Sequence, residues 1–116
     1  GSVLGGTDAR GNGYGTEAKL LLQYHAFRVL GLRKLTSTVK AFNAQSLGHL
    51  IKTGYRIVGR FTKHQFHDVE YVDEILLECF REDWEPLWAE YQTGRKLPKL
   101  TSEQRELVQS QITIKK

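Results

Sequence analysis

One cysteine, Cys79, stands among 116 residues, so no intrachain disulfide can staple the chain, and a reducing, cytoplasmic compartment is expected. No apolar run approaches the roughly 18 residues that a membrane span needs. No charged-then-apolar leader pattern opens the sequence either. Lysine and arginine outnumber aspartate and glutamate by 17 to 13, but they are scattered. That spread argues against a dedicated nucleic-acid surface, while the net charge of +4 suits an anionic partner. The four histidines, His25, His49, His64 and His67, keep no zinc-ligand spacing and the cysteine lies apart from them, so no metal is expected. Internal repeats and low-complexity segments are lacking too.

What remains is the composition of an ordinary globular chain, 40% hydrophobic and 26% charged, long enough for one core. The run Arg10-Gly11-Asn12-Gly13-Tyr14-Gly15 is its most informative stretch. Glycines here, followed at once by Thr16-Glu17-Ala18, read as a loop feeding a helix N-terminus. The first N–H groups of a helix have no partner inside it, and glycines let that backbone approach a phosphate closely. A tight turn without a ligand fits the same residues.

Val3-Leu4 reads as the stub of a strand. Residues 16–32 carry Ala18, Leu21, Leu22, Ala26, Val29 and Leu30 at helical period, which predicts one apolar face, stopped at Gly31. Residues 33–40 alternate and are rich in β-branched side chains, so a strand is expected. Asn43 is placed to cap a second helix that reaches about Thr53 and ends at Gly54. Two further strands, 56–66 and 71–80, join through a turn around His67 and Asp68. A short helix is expected over 85–91, a linker over 94–98, and a last helix from the capping-box sequence Thr101-Ser102-Glu103-Gln104 to about Gln109.

These stretches, with Asn43, Ser46 and Lys52 in the second helix, Gly54 and Tyr55 just after it, and the closing pair of strands, resemble the C-terminal half of the GCN5-related N-acetyltransferases (GNATs). The signature Arg/Gln-x-x-Gly-x-Gly/Ala is matched at Arg10, Gly13 and Gly15. The Asn-x-x-Ser/Ala…Lys-x-Gly-Phe helix is matched at Asn43, Ser46, Lys52 and Gly54, with Tyr55 for the usual Phe. The branch it looks like most is the RimJ/RimL type, which acetylates ribosomal-protein N-termini. The resemblance covers about residues 3–84.

The resemblance implies a mixed α/β (α+β) fold, the C-terminal half of an acyl-CoA N-acyltransferase domain in the order β-α-β-α-β-β with a helical tail. Residues 1–84 would form the half GNAT-like domain and residues 85–116 a helical extension. It also implies acetyl-CoA as cosubstrate and transfer of acetyl to a primary amine. The pyrophosphate would lie on the backbone of Arg10, Gly11, Asn12, Gly13, Tyr14 and Gly15, and the pantetheine arm along Val3 and Gly5. Asn43 would contact that arm or serve as a plain helix cap. Lys52 would reach a coenzyme phosphate or stay solvated.

The tyrosine acid of many relatives is replaced by Leu50. The remaining candidates are Ser46 as acid, against a serine that bonds its own helix, and His64 as base, against an exposed strand histidine. The half that binds the acceptor is expected to come from a second copy, in a homodimer or higher oligomer, or from a separate N-terminal-half partner. A coenzyme-binding module without turnover and a pure interaction domain are the other readings. Intact Arg10, Gly13, Gly15 and Asn43 speak against the last.

Overall fold

In the computed structural model, residues 12–67, 70–94 and 96–113 are described. The first element is helix α1, Asn12–Tyr24, which runs directly into a π-helical turn at His25–Val29. Leu30 N–H bonds His25 O at 2.9 Å, and Gly31, at φ +73°, breaks the helix as its position predicts. The helix starts four residues earlier than expected, so Asn12, Gly13, Tyr14 and Gly15 form its first turn and are not a loop.

The buried face of this helix is also different from the expected one. Thr16, Leu20, Gln23 and Phe27, spaced four, three and four residues apart, point inward, whereas Leu21, Leu22, Val29 and Leu30 are all more than 40% exposed. Period alone locates a helix but not the face its neighbours select. Here Gln23 satisfies a backbone carbonyl and Phe27 packs on Trp84 at 5.3 Å between ring centroids.

Strand β1, Lys34–Lys40, shows the expected alternation, with Val39 buried. Helix α2, Ala44–Lys52, follows, then β2, Arg56–His67, β3, Glu70–Phe80, α3, Arg81–Gly94, and α4, Ser102–Ile112. The sheet order is β1-β3-β2, with β3 antiparallel to both neighbours. Thus β1–α2–β2 is a crossover unit whose gap β3 fills. Along β3, Asp73, Ile75, Leu77 and Cys79 are buried and their alternates are half-buried. The helices cover this one face.

Gly54 ends α2 at φ +101°, and a Cβ there would meet Asp83 O at 3.3 Å and Leu87 Cδ1 at 3.4 Å. Both the backbone angle and the close approach of α3 require glycine.

Helix α3 begins directly at the end of β3, with Glu82 and Asp83 in its first turn, where carboxylates suit the helix dipole. It starts four residues before the expected position at residue 85, crosses residues 84 and 85 without a break, and holds Pro86 inside it. Trp84, Trp88 and Tyr91 turn into the same core as Leu20, Leu47 and Ile75, and Tyr24 stacks on Trp88 at 5.0 Å. These aromatics are packing residues. Helix α4 opens with the complete capping box of Thr101 and Gln104 and packs through Val108 onto the same core. The expected strand stub at Val3 and Leu4, the site residues Gly5, Arg10 and Gly11, and Asp68 of the expected turn lie outside the described residues.

Candidate functional site

The first turn of α1 supplies the backbone donors. A helix beginning at Asn12 leaves its first four N–H groups, those of Asn12, Gly13, Tyr14 and Gly15, without helical acceptors. The donors that the sequence assigned to a loop are therefore gathered at a helix end, where the dipole adds its positive pole.

Helix α2 lies against this end of α1. Thr16 Oγ1 is 3.5 Å from His49 Nδ1. Seven residues further along α1, Gln23 Nε2 donates to Thr53 O just past the end of α2. Lys19 is three residues after Thr16, and Lys52 three residues after His49. At that spacing each pair shares one helix face, so three cationic or titratable side chains converge from two helices. Burial lowers the Lys19 and Lys52 ammonium groups from their ordinary values. His49 is lowered first by burial, then by the charges of Lys52 and Lys19. None of the three has an ion-pair partner among the described residues. Glu17, the acid nearest in sequence, accepts a hydrogen bond from Tyr91 Oη of α3.

Lys52 was legible as a site residue; Lys19 and His49 were not. Their meeting depends on the packing of helices about thirty residues apart in sequence, and no local pattern announces it.

Asn43 is the N-cap of α2: its Oδ1 accepts from Ser46 N–H at 3.0 Å. The cap uses the amide oxygen and not the amide hydrogens. Ser46 sits in the first turn, its backbone held by Asn43. Leu50 is 4% exposed and belongs to the core.

His64 falls on β2 where the strand register shifts. Phe61 pairs with Glu74 and Gln65 with Val72, so residues 62–64 are set against Asp73 alone. Bulges of this kind re-aim strand residues. Asp73 is held by Arg60 Nε at 2.6 Å, and Arg60 Nη1 reaches Gln111 Oε1 of α4 at 3.0 Å. Among the described residues no group of three or more His, Cys, Asp or Glu is arranged to hold a metal ion, and no helix is long and apolar enough to cross a membrane.

No protein-family model matches the chain, and no curated protein does by sequence. Solved structures match by fold. A GCN5-related N-acetyltransferase from Brucella melitensis superposes with a TM-score of 0.63 at 20% identity, over 88% of this chain and 47% of its own. A GNAT-family acetyltransferase from Bacillus anthracis gives 0.58 at 27% identity, over 65% of this chain and 45% of its own. A variant of the spermidine N-acetyltransferase SpeG of Vibrio cholerae gives 0.61 at 15% identity, over 78% and 50%. The fold is a mixed α+β fold of the kind found in GNAT acetyltransferases. The likeness supports the GNAT superfamily, and the chain spans about half the length of the structures it matches.

Proposed function

We propose that this chain carries the acetyl-CoA-binding half of a GNAT-type N-acetyltransferase, which moves an acetyl group from the coenzyme thioester to a primary amine. The observation that carries the reading is His49 of α2 set beside Thr16 of α1, with the charges of Lys19 and Lys52 acting on it, in a fold shared with acetyltransferases. Orphan backbone N–H groups and half-buried ammonium groups, without carboxylate partners among the described residues, fit a pyrophosphate or phosphate. By resemblance, Arg10 and Gly11 extend that cradle, and Val3, Gly5 and the Asn43 amide line the pantetheine arm.

Bound there, acetyl-CoA supplies an activated acyl group. The residues of this chain orient it and handle protons. His64, on the bulged part of β2, would take the proton from the attacking amine. Ser46 at the head of α2 would supply one to the departing thiolate sulfur. The acceptor side is completed by polypeptide beyond the matched half: further sequence, a second copy, or a separate N-terminal-half partner. The RimJ/RimL branch would make that acceptor a protein N-terminus.

One observation favours a second reading, coenzyme binding without turnover. Leu50, at the position where the resemblance expects a tyrosine acid, is sealed in the core and has no proton to give. Calorimetric titration with acetyl-CoA, followed by thiol-release assays with a panel of amines, tests both readings. Micromolar binding, about −8 kcal/mol, that Arg10→Glu abolishes supports the site. Binding without thiol release from any amine leaves the second reading. No binding at millimolar coenzyme overturns both.

A further inference from the structure

We propose that His49 is the proton-linked member of the anion site, taking up a proton as a phosphate group settles between the α1 N-terminus and α2. The proposal rests on the coenzyme-binding reading for the identity of the ligand, but its own basis is the side-chain cluster. His49 is placed by its 3.5 Å approach to Thr16, a residue only 1% exposed, in the second turn of α1. Thr16 directly follows the first turn of α1, so the imidazole packs on the helix beside the residue next to those donors.

The charges around the ring share one sign. From α1 comes Lys19, while Glu17 is engaged by Tyr91 of α3. From α2 itself comes Lys52. The segment before α4 packs on α2 through Leu100, whose Cδ1 is 3.3 Å from where a Gly48 Cβ would stand, and it brings the basic residues Lys96 and Lys99. The charges of α4 are Glu103, Arg105 and Glu106. Those acting on the ring are Lys52 and Lys19.

In the free protein a third positive charge is resisted, so the imidazole stays neutral near neutral pH. A bound dianion reverses the local field and favours the imidazolium, which then adds a charge-assisted contact. Binding must therefore be tighter on the acid side, where the proton is available. Lysine alone cannot produce this behaviour, because it stays charged throughout that range.

The test follows the histidine ring signals by NMR against pH, assigned with His49→Gln, alone and with inorganic pyrophosphate as probe. The His49 midpoint is expected to rise when pyrophosphate binds, and to rise in the free protein in Lys19→Gln. In parallel, the affinity for acetyl-CoA is expected to be about tenfold higher near pH 5.5 than near pH 8 in excess of that of His49→Gln, the range in which a histidine changes charge. A midpoint that pyrophosphate leaves in place overturns the proposal, as does failure of pyrophosphate to bind at either pH. Acetyl-CoA binding with the same pH profile in wild type and His49→Gln overturns it while leaving the coenzyme reading intact. A pyrophosphate-shifted midpoint without acetyl-CoA binding does the reverse.

Discussion

Gln23 Nε2 donates to the carbonyl oxygen of Thr53 across 2.8 Å, joining α1 to the end of α2 in a place where both residues are at most 1% exposed. The same amide nitrogen lies 3.6 Å from Cys79 Sγ, so one side chain ties two helices to the central strand. Gln23 Oε1 is buried with no partner among the described residues. Replacing Gln23 with Leu leaves the Thr53 carbonyl only the weak 4.0 Å contact of the Cys79 thiol but also removes that unpaired oxygen. The net loss is expected at about 1–2 kcal/mol. Gln23→Ala adds a cavity and is expected to cost about 2–4 kcal/mol. Urea denaturation of the two variants checks the order, and equal losses would show that the hydrogen bond, not the packing, dominates.

At Gly54 two independent demands coincide, a left-handed backbone and the 3.3 Å approach of Asp83 O. Gly54→Ala is therefore expected to lose about 2–3 kcal/mol, more than the roughly 1 kcal/mol of the backbone angle alone. At Gly31, φ +73°, a Cβ would stand in open space with no atom within 4 Å. Gly31→Ala should cost only the backbone part. Comparing the two midpoints in one denaturation series isolates the steric contribution of α3.

Much of the fold is legible in the sequence because helix ends are local events. Asn43 with Ser46, Thr101 with Gln104, and the stops at Gly31 and Gly54 each need only a few adjacent residues, and all are found as expected. The alternation in β1 and the pairing of the last two strands are equally local in origin. What was hidden depends on distant partners. The inward face of α1 contains Thr16 and Gln23, polar residues that make sense only opposite His49 and Thr53. The more apolar stripe of Leu21, Leu22 and Val29 faces outward. The proposed site was half visible for the same reason: Gly13 and Gly15 suggest a phosphate cradle by themselves, whereas Lys19 and His49 acquire meaning from helix packing.

Arg60 and Asp73 form the most buried ion pair of the described residues, with side chains 17% and 6% exposed. Arg60 also binds the Gln111 carbonyl at 3.2 Å, so the pair fastens α4 to the bulged end of the hairpin. Asp73→Asn keeps the shape but leaves the guanidinium without its counter-charge. A loss of about 3 kcal/mol is expected, near the lower end for a broken buried pair. The double variant Arg60→Leu with Asp73→Leu should recover part of it, since the guanidinium is then removed together with its carboxylate. A double variant as unstable as the sum of its parts would show that the pair matters for shape rather than charge.

Alkaline stability offers the last check on the core. Burial pushes the Cys79 thiol up to about 12, with the Asp83 charge acting in the same direction, and pushes the Tyr55 hydroxyl up to about 12. In the unfolded chain the thiol ionises near 9 and the phenol near 10. Between those values and about 12 the folded state holds more protons than the unfolded one, so stability falls as pH rises, by up to about 1.4 kcal/mol per pH unit for each group. Below about pH 9 neither group contributes any slope. Cys79→Ala should weaken the fold at neutral pH through its lost packing, yet flatten the decline that begins near pH 9. The thiol itself should resist disulfide reagents at about pH 8, where a group ionising near 12 is thiolate in only about one molecule in 10,000. Rapid labelling of the folded protein at that pH, at the rate of a free peptide thiol, would show that Cys79 is reached without unfolding and would remove the basis for the predicted slope.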